Sequence, residues 1–206
     1  MDLFSEMGDM FSKLQKFHDA GEEPNTNNVE YFGTPKYSLY TAQDIIDLHQ
    51  RIDITDDQGN LKYYTKSAII SLTSATDIMD AGDNVIAHLE RELFSFTEKY
   101  YITMADGRKF TMTNELFHIV DDITNIEELG WQLQGNFVGL NFNLRDEFGE
   151  PIATIGKKMI SLHDKYCIDL YKTEQEPVVV AILIVLEKMM QARSESSGSG
   201  ASSMDD

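Results

Sequence analysis

The chain has 206 residues, 42% of them hydrophobic, and a formal net charge of -18. That length supplies one sizeable core rather than two full ones, and the charge repels duplex nucleic acid and anionic membranes at long range. Its one cysteine, Cys167, excludes an internal disulfide, so a reducing, cytoplasmic setting is the expectation.

The first residues, MDLFSEMGDMFSKLQKF, carry early acidic residues and no continuous apolar run, unlike a secretory signal. Phe4, Met7, Phe11, Leu14 and Phe17 recur at spacings of three and four, which predicts an amphipathic helix over residues 1–20. Its stripe has three uses open to it: docking on the body, self-association or another protein partner, and a membrane surface. Asp2, Glu6, Asp9 and Asp19 argue against the membrane, because membrane-seeking helices carry a basic polar face. Residues 21–36, which contain GEEPNTNN, read as a polar linker. A short helical turn is expected over Ala42 to Leu48.

From Arg51 the pattern changes to hairpins. Short runs rich in β-branched and aromatic residues flank the turns Asp56-Asp57-Gln58-Gly59-Asn60, Ala81-Gly82-Asp83, Ala105-Asp106-Gly107 and Glu147-Phe148-Gly149-Glu150. A longer repeat is superimposed on them. IAHLERELFSF from Ile86 matches IATIGKKMISL from Ile152, and each precedes a Tyr-containing strand, KYYIT from Lys99 and KYCIDL from Lys165. KYYTKSAIISL from Lys62 is a weaker copy. Repeated hairpins need neighbours to bury their apolar faces, which predicts a β-rich domain of repeated units. Between Leu129 and Asp146, Trp131, Leu133, Phe137, Leu140, Phe142 and Leu144 alternate with polar residues as two further strands. Gly135 and Gly139 permit bending or close strand packing there.

The last apolar run follows EQEP. Glu174 and Glu176 suit a helix start and Pro177 suits its first turn. The run lacks alternation, and its β-branched content also permits a buried strand. Its continuation through Glu187, Lys188, Met189 and Met190 favours a helix. Val178, Val179, Val180, Ile182, Leu183, Ile184, Val185 and Leu186 would make it apolar on every side, so it must be surrounded. The run is about half the length of a membrane span, and no transmembrane segment is expected. Residues 191–206, low in complexity, read as a disordered tail.

ITDDQGNLKYYTKSAIISL, VIAHLERELFSFTEKYYI, LGWQLQGNFVGLNFNLRDEFGEPIATIGKKMISLHDKYCIDLY and EPVVVAILIVLEKMM, in this order and spacing, resemble the LURP-one-related family of the tubby C-terminal-like superfamily. The resemblance implies a mainly β fold over residues 37–190, an antiparallel barrel of about twelve strands around the apolar helix. The superfamily includes phosphoinositide-binding tubby domains and phospholipid scramblases. The family pattern offers no catalytic motif to carry over. Basic residues on the barrel hold lipid headgroups in the superfamily, which makes Arg91, Lys157 and Lys158 candidate headgroup contacts. The plainer reading is that they keep a strand soluble.

Other chemistry finds little support. His18, His49, His88, His118 and His163 form no HxH or HExxH, and His163 lacks zinc spacing with Cys167. The pairs Asp56-Asp57 and Asp121-Asp122 resemble calcium loops loosely, but turn chemistry accounts for DDQGN without an ion. Ser71, Ser95 and Ser161 recur at equivalent repeat positions, which points to structure rather than catalysis. No phosphate cradle, cofactor or metal is indicated. The expectation is a non-enzymatic barrel that acts through its surface as a protein-interaction or scaffold module. Peripheral phospholipid or phosphoinositide binding is the alternative, and an enzyme ranks third.

Overall fold

The structure is a computed structural model that describes residues 32–42, 51–67, 75–92, 99–113, 122–136, 141–160 and 163–198. The helix expected over residues 1–20, most of the linker, the turn expected after Ala42 and the three repeated serines lie outside the described residues.

Alternation sets the strands. In Lys99–Met104, Tyr100, Ile102 and Met104 are buried, while Tyr101 and Thr103 are exposed. Period two puts successive side chains on opposite faces, so one face of each such segment is apolar and must be covered. Twelve strands result among the described residues. They are β1 (Tyr37–Ala42), β2 (Asp53–Thr55), β3 (Leu61–Ser67), β4 (Ala75–Asp80), β5 (Val85–Arg91) and β6 (Lys99–Met104). They continue with β7 (Lys109–Thr113), β8 (Asp122–Ile126), β9 (Trp131–Asn136), β10 (Asn141–Arg145), β11 (Pro151–Ile160) and β12 (His163–Leu170). Neighbouring strands pair antiparallel, and the sheet order is β7-β6-β5-β4-β3-β2-β1-β12-β11-β10-β9-β8.

The two edges, β7 and β8, are consecutive in the chain and come together, so the sheet is a nearly closed barrel. β1 pairs with both β2 and β12 and thereby joins the two halves. The sequence repeat is a structural one: β5–β6 in the first half answers β11–β12 in the second.

Helix α1 (Glu176–Gly198) fills the barrel. Every residue from Val178 to Leu186 is fully buried, as is Met189. Leu39, Ile78, Leu89, Ile102, Leu133, Phe142, Ile155 and Ile168 meet it from the inward face of the sheet. The helix runs on past Met190, where the sequence reading ended it, through the first residues expected to be a disordered tail. Pro177 occupies its second position, where the missing N–H costs nothing because the first amides of a helix have no internal partner.

Close packing shows at Gly135 on β9. A Cβ there would lie 2.1 Å from the Asn141 carbonyl oxygen and 2.7 Å from the Phe142 Cα, both backbone atoms of β10. Backbone cannot swing aside as a side-chain tip can. Gly135→Ala should therefore destabilise the domain by about 1–3 kcal/mol, read as a lower midpoint in a urea melt.

Candidate functional site

Antiparallel connections alternate between the two ends of the barrel, so β2–β3, β4–β5, β6–β7 and β10–β11 turn at one end. Their four turns share one geometry. In Asp56–Asn60, Asp80–Asn84, Met104–Arg108 and Asp146–Glu150, the first residue's N–H donates to the fifth residue's carbonyl. The fourth residue's N–H donates back to the first carbonyl. The fourth residue is left-handed: Gly59, Gly107, Gly149 and, without a glycine, Asp83 at φ 64°. The sequence places a glycine one residue early in that turn, at Gly82, and Asp is among the few residues that tolerate the conformation.

Asp56, Asp80 and Asp146 each accept two backbone N–H bonds through Oδ1, from the third and fifth turn residues. The Asn60 and Asn84 side chains hold the carboxyls of Asp56 and Asp80 below their ordinary pKa, and the Lys172 ammonium does the same for Asp146. Asp56 therefore spends its acceptors on its own turn. No group of three metal-ligating side chains occurs among the described residues. The result is an acidic rim, from which Phe148 projects with 81% of its surface exposed.

Beside this rim, at the seam between β7 and β8, lies an open hollow of about 290 Å³. Arg108, Lys109, Glu128, Leu129, Trp131 and Gln175 line it. Arg108 is tied to Asp106 at 2.6 Å and donates to Gln175 Oε1 at 2.8 Å. Nothing in the sequence pointed to this hollow, because barrel closure alone joins residues from β7, β9 and the 3-10 turns Glu127–Leu129 and Thr173–Gln175.

The three candidate headgroup contacts are not assembled into one patch by the sheet. Arg91 ends β5, while Lys157 and Lys158 lie on β11 opposite Tyr166 and Lys165. β5 and β11 are third and ninth in the sheet order, on opposite walls of the barrel. Arg91 follows Ala87 and Leu89 on the inward register and pairs with inward, buried Tyr100. Its charge acts on Lys188 of α1, whose ammonium is pushed below its ordinary pKa by burial first and by Arg91 as well.

Sequence reasoning used Glu187 and Lys188 only as signs that the helix continues. The structure buries Glu187 to 7% exposure, with neither carboxylate oxygen hydrogen-bonded. Burial pushes its pKa up to about 8, against a small opposing pull from Lys188. Val178 to Leu186 are fully buried in α1, and the buried Cys167 thiol donates to Asp169 Oδ1 at 3.3 Å. Phe4, Met7, Phe11, Leu14 and Phe17 lie outside the described residues. Among those described, no helix is long and apolar enough to cross a membrane.

A search of curated proteins returned no match. An Arabidopsis thaliana protein of known X-ray structure is similar at 12% identity and a TM-score of 0.47, covering 76% of this chain and 93% of its own. The LURP-one-related family model matches residues 37–187, which begins at β1 and ends on α1 at the buried Glu187. With well over half its length so matched, the chain belongs to the LURP-one-related family.

Proposed function

We propose that this domain is a non-enzymatic interaction module that works through its outer surface. The observation that carries the reading is the filled interior. A barrel whose lumen holds its own helix, fully buried from Val178 to Leu186, has given that space to core packing. Recognition then falls to the rims and the outer wall. The acidic turn rim with Phe148 at its edge suits a partner that offers basic groups around an apolar pocket, since buried aromatic anchors dominate many interfaces.

Capture of partners by the full chain at low and moderate salt tests this, with Phe148→Ala alongside. Recovery of a specific partner should fall with salt and fall again in the variant, by roughly tenfold in affinity or more. Co-sedimentation with neutral, phosphatidylserine and phosphoinositide vesicles forms the second arm. Absence of salt-sensitive binding is the expected result. Binding to one anionic headgroup that is lost in Arg91→Ala or in Lys157→Ala with Lys158→Ala would replace this reading with lipid recognition.

A further inference from the structure

β7 and β8 each have one hydrogen-bonded neighbour: β7 pairs with β6, and β8 with β9. Met104 N–H donates to the Arg108 carbonyl, and bonding alternates along an antiparallel pair. Arg108, Phe110 and Met112 therefore turn their backbone groups toward β6. Lys109, Thr111 and Thr113 turn theirs toward β8, yet no backbone hydrogen bond crosses that line among the described residues. The other neighbouring strands are joined by ladders that must break before the strands can part. The seam has no ladder to break, and side chains close it instead. Phe110 and Met112 on one side and Ile126 on the other pack into the core. On the outside, β7 rests against the 3-10 turn Glu127–Leu129.

At the turn end, the linker from β12 to α1 bridges the gap. Tyr171–Gln175 is fixed first on the β8 side. The Tyr171 and Lys172 N–H groups donate to the Ile152 carbonyl of β11 at 2.9 and 3.2 Å, and the Lys172 ammonium bonds Asp146 in the β10–β11 turn. That turn is packed against the β8–β9 connection: a Cβ on Gly130 would stand 3.4 Å from the Glu147 Cβ. The linker then crosses to the β7 side, where Gln175 Oε1 accepts from Arg108 Nη1 at 2.8 Å. Arg108 is held in turn by Asp106 of its own hairpin at 2.6 Å. The hollow lies at this crossing and takes its walls from both sides, Arg108 and Lys109 from one, Glu128, Leu129 and Trp131 from the other.

We infer that the β7–β8 seam is the line along which this barrel opens, and that Tyr171–Gln175 is the clasp that holds its turn end shut. Release breaks side-chain bonds at Asp146 and Arg108 and no ladder between strands. Both sides of the seam stay packed on α1 through Phe110, Met112 and Ile126. Opening is therefore a local event that widens the hollow, distinct from unfolding of the domain.

Trp131 is the chain's one tryptophan and lines the hollow at 7% exposure, so its fluorescence reads the clasp. In the full-length protein, Lys172→Ala combined with Gln175→Ala should raise the acrylamide quenching constant roughly threefold or more and shift the emission to the red, with a cooperative melt retained. Lys172→Arg keeps the cation and should quench like the parent. Hydrogen exchange followed by NMR gives a second readout. The Phe110 and Met112 amides, which fray once the edge of β7 is released, should exchange roughly fivefold faster or more in the double variant. Those of Tyr63 and Ile78, on β3 and β4 away from the seam, should keep their parental rates. Unchanged quenching in the folded double variant would overturn the clasp. Equal acceleration at all four amides, or loss of the cooperative melt, would overturn it too, because the linker would then hold the whole fold rather than the seam.

Discussion

Glu187→Gln should stabilise the domain at pH 8 and flatten its pH dependence. In the folded chain this carboxyl is buried without a partner and holds its proton up to about pH 8. Unfolded, it releases the proton near its ordinary value of 4.5. The folded state therefore binds one more proton than the unfolded state between those two values. Linkage gives the sign: stability falls as pH rises from about 4.5 to about 8 and levels off above. At about 1.4 kcal/mol per pH unit the loss amounts to about 4–5 kcal/mol at pH 8. For a domain of this size that is a melting shift of about 10 °C or more. Glutamine removes the titration and keeps the size, so variant and parent should coincide near pH 4.5 and diverge above it. Thermal melts across that range read the difference, and parallel curves would mean that Glu187 is solvated. Glu176 carries a smaller trend of the same sign up to about pH 7, raised by burial, and leaves the variant a residual slope. The turn aspartates have lowered pKa values, so their contribution is lost only as pH falls into the acid range, in a separate window.

Ile184→Asp should abolish cooperative unfolding. Ile184 is fully buried in the middle of α1. A carboxylate there has no partner and no route to water, at a cost of several kcal/mol, added to the lost packing of the isoleucine. The sum reaches or exceeds the whole stability of an ordinary domain, about 5–15 kcal/mol. Ile184→Val removes one methylene and should cost only about 0.5–1.5 kcal/mol with the transition intact. The contrast separates a buried position from a merely sensitive one. A native-like melt for the aspartate variant would put Ile184 outside the core.

The hairpins of the body were legible locally. Period-two burial needs only that one face of a segment be apolar, and the turns need only Asp and Gly at fixed offsets. The repeat around Ile86 and Ile152 was legible for the same reason, since each copy solves the same local problem. β1 was not: its tyrosines and small polar residues give a weak alternation, and it becomes a strand by pairing on both sides with β2 and β12. The hollow at the seam and the separation of Arg91 from Lys157 and Lys158 were also invisible, because both depend on the order of strands around the barrel.

The helix marks the boundary most clearly. Val, Ile and Leu in an unbroken run from Val178 require burial on every side, and the sequence by itself determines that much. β-branched residues favour strands as a local preference, so propensity alone leaves the conformation open. The surrounding wall decides it. A central segment without strand partners must satisfy its own backbone, and a helix does so internally while showing side chains in every direction to the surrounding wall. The fate of Glu187 is set the same way: an acidic residue in the sequence, it becomes a buried, protonated one because the barrel extends past the end of the apolar run.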